Sequence, residues 1–209
     1  MGRHDRKRKP ARSKQPVDSK PLILIVCEGE VTEPEYLSGF AKACRNARVT
    51  IEVEGGKGVP KTIVECAKEY KKEAEKRAKK EKDDNLKYDA IWCVFDVDTH
   101  PNIPAAINMA GDNDIELAIS NPCFELWLLL HFQEQPGMQD CNKLASMIKK
   151  HLSSYSKKNK HVDYLDYSAG YDDAVKRAKQ LETNAGDEEW KRNPTTGVYL
   201  LTEKIKAAS

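Results

Sequence analysis

The sequence predicts an α/β domain in three layers, with a mainly parallel four-stranded sheet between helices and a helical extension at the C-terminus. Segments of strand length that are apolar throughout alternate with segments of helical periodicity, which is typical of parallel sheets covered on both faces. Charged residues make up 33% and apolar residues 39% of the 209 residues. This apolar content is sufficient for one core.

The chain is expected to divide into three parts. Residues 1–20 contain eight Lys or Arg and two Asp, with few apolar side chains, and we expect a disordered basic arm there. Such an arm either contacts nucleic-acid phosphates or keeps the protein soluble. Residues 21–135 form the predicted α/β core, and residues 136–209 form the helical extension of the same domain.

The first unit is predicted to be a strand, a short acidic loop and a helix. Residues 22–27 are continuously apolar, as in a strand buried on both faces. Thr32 and Glu35 have the spacing of a capping box at the start of a helix. Residues 49–54 alternate as a second strand.

The remaining elements follow the same logic. A helix is expected from Pro60, and its charged part at 68–87 either projects into solvent or binds a partner. Residues 90–95 and 114–119 are predicted to be the third and fourth strands. Asn121 and Pro122 suit the N-cap and first turn of a buried apolar helix. Further helices are expected at 143–152, at 172–183 and from residue 193 onward.

Two properties bear on the cellular setting. No apolar run approaches the roughly 20 residues that span a bilayer, and no hydrophobic signal segment opens the sequence, so we expect a cytoplasmic protein. The six cysteines are scattered without the close spacing of a zinc site, and we expect structural free thiols.

Acidic residues follow two of the predicted strands. Glu28 comes directly after the first strand, and Asp96 and Asp98 follow the third. Ligands of open α/β sheets bind beyond the carboxyl ends of the strands. Three carboxylates meeting there suit Mg²⁺ or Mn²⁺, which prefer oxygen ligands. The alternative is a set of separate, solvated acids.

Glu125 is a further candidate because it stands in the first turn of an otherwise apolar helix. A buried carboxylate requires a partner or takes up a proton. The partner is either a metal ion or a neighbouring Lys or Arg.

The stretch GGKGVPKT at 55–62 partly matches a phosphate-binding loop. Pro60 stands where that loop requires a glycine, and proline lacks the backbone N–H that would contact a phosphate. We therefore favour a turn that carries two basic side chains, Lys57 and Lys61.

Four motifs together resemble the RloB family of bacterial restriction and abortive-infection loci. They are CEGEVTEPEYL, VFDVDTH, SNPCFELWLLLHF and NPTTGVYLL, and the resemblance extends over about residues 20–206. Within them lies a pattern similar to the Toprim (topoisomerase-primase) fold, a strand-end Glu-Gly followed by a DxD. The resemblance implies that Glu28, Asp96 and Asp98 are the catalytic and metal-binding residues. Glu125 matches the acid of the NPCFE motif and is the fourth expected ligand.

The resemblance implies a Toprim-like, Mg²⁺- or Mn²⁺-dependent nuclease that acts as an effector in antiphage defence, often encoded beside an ATPase of the ABC or AAA type. Glu28 would orient or deprotonate the water that attacks a phosphodiester. Basic side chains would contact the nucleic acid, and the candidates are Lys57, Lys61, Lys191 and Arg192.

The acidic loop differs from many Toprim loops, which carry a Lys or Asp soon after the glycine. We expect Glu30 and Glu33 to lie at the positive end of the following helix, outside the metal site. This assignment leaves Glu28 as the one acid of the loop with a chemical role.

Two other classes of function remain open. One is a non-catalytic subunit that binds nucleic acid or a partner ATPase and keeps the acids for structure. The other is a primase-type transferase, although no zinc-binding or accessory primase segment accompanies the motifs. The intact Glu-Gly and DxD favour the enzyme.

Overall fold

A five-stranded β-sheet lies at the centre of the protein, and helices pack against both of its faces. The predicted three-layer α/β/α architecture is therefore confirmed. The computed structural model describes residues 20–53, 59–97, 103–135, 137–156, 159–183 and 192–209. Apart from Lys20, the predicted basic arm lies outside the described residues.

The sheet is parallel except at one edge. Its strands are β1 (Ile23–Cys27), β2 (Val49–Val53), β3 (Ala90–Asp96), β4 (Glu116–Asn121) and β5 (Thr195–Thr196). Their spatial order is β2-β1-β3-β4-β5. β1 pairs in parallel with β2 and β3, and β3 pairs in parallel with β4. Every residue of the interior strand β1 is buried, which explains its continuous apolar run.

Seven helices form the two outer layers of the described structure. They are α1 (Thr32–Ala43), α2 (Pro60–Glu81), α3 (Ile103–Gly111), α4 (Glu125–Leu130), α5 (Cys141–His151), α6 (Tyr171–Thr183) and α7 (Val198–Ala207). α2 and α3 cover one face of the sheet, and the other five share a core on the opposite face. All six residues of α4 are buried, as its all-round apolar sequence predicts.

The helix α3 was absent from the predicted order of elements. It connects β3 to β4, and two parallel neighbouring strands require a crossover connection of this kind. The parallel pairing therefore accounts for a helix that the sequence pattern did not reveal.

The sheet has one strand more than the predicted four. β5 runs antiparallel to β4, with Thr195 paired to Asn121 and Thr196 paired to Ser120. Two residues are too few to show a sequence period, so the prediction placed them in the C-terminal helix. The same pairing makes Asn121 the last residue of β4, so its predicted role as a helix N-cap is wrong.

The predicted capping box at the start of α1 is also wrong. The N-cap residue is Val31, and no side chain caps the helix. The hydroxyl of Thr32 instead donates to the backbone oxygen of Lys160 at 3.0 Å, and Glu35 accepts hydrogen bonds from the segment that follows Lys160. Partners distant in sequence thus replace the local cap.

The charged part of α2 does not project freely from the body. Ala74 and Ala78 are buried, and Lys71 Nζ donates to the backbone oxygen of Asn113 at 2.6 Å. The helix therefore packs beside α3 while its charged face remains exposed. Among the described residues, no helix has both the length and the apolar character to cross a membrane.

Candidate metal centre

Two of the predicted acids meet where β1 and β3 end. Glu28 directly follows β1, and its backbone N–H donates to the oxygen of Val94 in β3 at 3.0 Å. Its side-chain Oε2 accepts a hydrogen bond of 3.1 Å from the backbone N–H of Asp96. The two parallel strands therefore bring these acids together, as their positions at neighbouring strand ends predict.

Glu125 joins this group from the first residue of α4. Its side chain is buried, and its Oε1 accepts a hydrogen bond of 3.0 Å from the hydroxyl of Tyr155. One potential metal-ligating atom comes from each of Asp96, Cys123 and Glu125, and these three atoms lie within 4.8 Å of one another. The Tyr155 hydroxyl is neutral, so it orients Glu125 without cancelling its charge.

Glu33 lies in the first turn of α1, as expected, but it is also a fourth acid beside the site, which was not expected. Its side chain is only 7% exposed, and it occupies the space beside Gly29. A Cβ atom at Gly29 would lie 1.9 Å from Glu33 Oε2, so the glycine is needed to make room for the carboxylate. Glu30 is exposed, as expected.

The sequence contains one signal for Glu33 that the prediction did not use. This signal is Gly29, whose missing side chain leaves room for the carboxylate of a neighbouring residue. A helix-start acid four residues after a glycine is too common a pattern to identify a site by itself.

The acids influence one another's protonation. Burial raises the pKa of Glu33 to about 7, with a further increase from Glu125. Burial also raises the pKa of Asp96 well above its usual range, and the carboxylates of Glu33, Glu125 and Glu28 add to this increase. Such a group of like charges is stable when ionised only with a compensating cation.

The donor set fits a hard divalent cation. Carboxylate oxygens are the ligands that Mg²⁺ and Mn²⁺ prefer. The Cys123 thiol lies beside them, but its pKa is raised, first by a hydrogen bond with Cys141 and then by burial. The thiol is therefore protonated at neutral pH, and the oxygens are the stronger candidate ligands. None of the six cysteines forms a disulfide bond, as predicted.

Asp96 and Glu125 border a cavity of about 560 Å³ between the sheet edge and α5. The polar residues of its lining include Asp96, Asn121, Glu125, Asp140, Lys160 and Asn193. Asn193 closes one side, because its amide donates to the backbone oxygen of Gln139 at 2.8 Å and accepts from the N–H of Gln139 at 3.2 Å. The late NPTTG motif thus forms part of the cavity wall.

The predicted basic contacts have different positions. Arg192 is exposed and directly precedes Asn193 at the cavity. Lys61 lies in the first turn of α2, where its ammonium group is 3.6 Å from Glu65. Lys57 and Lys191, together with the predicted metal ligand Asp98, lie outside the described residues. Lys160 was not predicted, although it lines the cavity with the acids.

His131 lies near the acids in sequence, but its contacts give it a role in packing the core. Its Nδ1 lies 2.9 Å from the backbone oxygen of Trp127, so this nitrogen donates. Nε2 therefore accepts from the hydroxyl of Tyr36, which is 2.9 Å away. The ring is neutral and buried among aromatic side chains, where it supports the packing of α4 against α1.

Comparison with known proteins gives one match. Residues 23–205 match the family model described as RloB-like protein. Neither the curated proteins nor the solved structures yield a match.

Proposed function

This chain belongs to the RloB-like family, and we propose that it is a metal-dependent nuclease that hydrolyses phosphodiester bonds of DNA or RNA in the cytoplasm, as an effector of bacterial antiphage defence. The observation that carries the proposal is the meeting of Glu28, Asp96 and Glu125 at the carboxyl edge of a parallel sheet, with Glu33 buried beside them. A surface role would not require buried, mutually repelling carboxylates.

Asp96 and Glu125 would hold a divalent cation, Mg²⁺ or Mn²⁺, and Asp98 is the further ligand that the family pattern implies. When bound, such an ion polarises the phosphate and lowers the pKa of a coordinated water. It would also compensate the charge of the four acids, and the burial of Glu33 and Glu125 among them therefore supports the proposal.

Glu28 would orient the attacking water and accept its proton. The water oxygen forms a bond to phosphorus, the bond from phosphorus to the leaving oxygen breaks, and a second proton reaches that oxygen from solvent. The hydrogen bond from Asp96 N–H fixes Oε2 of Glu28 at the end of β1. The carboxylate is therefore held in one orientation before substrate binds.

The test is cleavage of labelled DNA, RNA and tRNA by the purified protein with Mg²⁺ or Mn²⁺, alone and with an ATPase encoded beside it. Wild-type protein should cleave at least one substrate, and Asp96→Asn should not. Asp112→Asn is the matched control, because Asp112 is an exposed acid at the end of α3. Equal cleavage by wild type and Asp96→Asn would refute the assignment of the metal site.

A second candidate is a non-catalytic subunit that binds an ATPase of the ABC or AAA type. The exposed charged face of α2, which lies on the opposite side of the sheet from α4 and α5, favours this alternative. Absence of cleavage on every substrate, combined with stable co-purification of the ATPase, would support it.

A further inference from the structure

The segment 160–162 is fixed to the start of α1 although more than a hundred residues separate them. Thr32 Oγ1 donates to the backbone oxygen of Lys160 at 3.0 Å. The two oxygens of Glu35 accept from His161 Nδ1 at 2.7 Å and from the backbone N–H of Val162 at 2.8 Å. The side chain of Val162 is buried against the core. Helix α1 thus holds the backbone of Lys160 and Val162 and the side chain of His161.

Lys160 is exposed, and it lines the cavity that Asp96 and Glu125 also line. Its positive charge also acts on Glu33, where it opposes the effect of burial on the pKa. No other Lys or Arg is found among the described residues that line this cavity. A phosphate that approaches the acids therefore meets one ammonium group beside them.

An anchored lysine differs from an ordinary surface lysine in its entropy cost. Ordering a loop and its side chain on binding reduces affinity, whereas a segment that is already ordered avoids part of that cost. The hydrogen bonds from α1 order the 160–162 backbone before any ligand binds.

We propose that Lys160 binds a phosphate of the nucleic-acid backbone next to the acidic site, and that Thr32 and Glu35 hold it in place. This inference rests on the proposed function. The Lys160 ammonium group donates a hydrogen bond to a non-bridging phosphate oxygen. Its positive charge offsets the repulsion between the negative phosphate and the carboxylates of the site. Glu35 is a positioning residue, because it acts through the backbone of the segment and contacts no substrate.

The direct test is binding, measured separately from cleavage. Fluorescence anisotropy would follow labelled single-stranded DNA and RNA oligonucleotides with Ca²⁺ in place of Mg²⁺. Lys160→Ala should weaken binding about tenfold and reduce the slope of log affinity against log salt by about one. Lys160→Arg should restore most of the affinity because it keeps the charge.

The matched control is Lys149→Ala, since Lys149 is an exposed lysine in the last turn of α5 and lies outside the cavity lining. Its affinity should equal that of wild type. Equal losses in Lys149→Ala and Lys160→Ala would show general surface attraction and overturn the proposal, as would an unchanged salt slope in Lys160→Ala.

The positioning role requires a second comparison. Glu35→Ala should weaken oligonucleotide binding in wild type but cause no further loss in a Lys160→Ala background, because both changes remove the same contact. Additive losses would overturn the role of Glu35. Melting temperatures of all variants would identify any that fail to fold. If Lys160→Ala fails to fold, the oligonucleotide affinity of Lys160→Arg, which keeps the positive charge, is compared with that of wild type instead.

The outcomes separate this inference from the nuclease proposal. Cleavage by wild type with unaltered binding in Lys160→Ala would reject the lysine site alone. Binding that depends on Lys160 without any cleavage would support the lysine site and reject the nuclease. Wild-type protein that neither binds nor cleaves nucleic acid would reject both.

Discussion

The backbone N–H of Asp96 donates a hydrogen bond of 3.1 Å to Oε2 of Glu28, and 68 positions of sequence separate the two residues. The contact joins two parallel neighbouring strands at their carboxyl ends. The contact places the two acids side by side. A substitution at Glu28 that keeps an oxygen to accept this hydrogen bond can therefore test the chemistry without disturbing the fold.

Glu28→Gln should preserve the structure and remove the activity. The glutamine side-chain oxygen can still accept from Asp96 N–H, but the amide cannot take a proton from water. Loss of a general base typically lowers the rate by a factor of about 10² to 10⁴. Single-turnover cleavage would measure the rate, and circular dichroism would verify the fold. The control is Glu30→Gln at the exposed acid of the same loop, and residual Glu28→Gln activity near that of the control would contradict the assigned role.

Glu33→Gln should stabilise the metal-free protein at pH 8. The pKa of Glu33 is raised from 4.5 to about 7 by burial and neighbouring acids. Because the pKa of Glu33 is higher in the folded than in the unfolded protein, the folded protein holds the proton more tightly. The contribution of Glu33 to the free energy of unfolding is therefore complete below pH 4.5 and is lost as the pH rises through 7. The corresponding penalty is roughly 3 kcal/mol at pH 8, and the neutral amide avoids it.

Chemical denaturation in EDTA at pH 8 and pH 5 would measure this effect. The gain in Glu33→Gln should be present at pH 8 and become small at pH 5, where wild-type Glu33 is already protonated. Glu30→Gln, at an exposed position, should show no such difference. A destabilised Glu33→Gln at pH 8 would indicate that the carboxylate makes a contact that the amide cannot replace.

Tyr155→Phe should destabilise the protein by about 1–3 kcal/mol, because it leaves the buried Glu125 carboxylate without its hydroxyl donor. Urea denaturation at fixed pH would give the value. The double variant Tyr155→Phe/Glu125→Leu removes both polar partners and should recover part of the lost stability. No recovery would mean that the cost arises from packing around the Tyr155 ring.

His131 should make stability fall in mild acid. Burial lowers the pKa of His131 from 6.5 to about 4. Because the unfolded chain takes up the proton first, the contribution is complete above pH 6.5 and is lost as the pH falls toward 4, by roughly 3 kcal/mol in all. Arg177, which donates to the backbone oxygen of Leu130, adds to the lowered pKa.

The measurement compares the free energy of unfolding at pH 7.5 and 5 in wild type and His131→Gln. The glutamine variant is less stable overall but should lose less stability on acidification, because no imidazole titrates. His151→Gln is the control at an exposed histidine, whose ring contacts the Gln133 side chain and, among the described residues, no carboxylate. Equal pH dependence in wild type and His131→Gln would show that another group is responsible.

The sequence was informative where a local pattern has one structural outcome. The apolar runs of β1 and β3 predict buried parallel strands, and the carboxyl ends of such strands lie at one edge, so the convergence of Glu28 and Asp96 follows from pattern alone. The buried helix α4 follows in the same way from its uninterrupted apolar sequence.

The sequence was uninformative where a tertiary partner decides the outcome. Thr32 and Glu35 match a capping box, but the 160–162 segment offers them other hydrogen bonds. In sequence, Glu33 is like any other acid at the start of a helix. Only the structure reveals that Gly29 leaves space for its side chain. Lys160 lies in a polar loop, and only the contacts with α1 bring it to the cavity.

The wall that Asn193 contributes has a consequence for synthesis of the protein. A ribosome releases Glu28 and Asp96 early, whereas Lys160 emerges later and Asn193 and β5 later still. A nascent chain therefore displays the acids before the cavity and its lysine exist. The cavity thus gains its complete lining only once the C-terminal part of the chain has been synthesised.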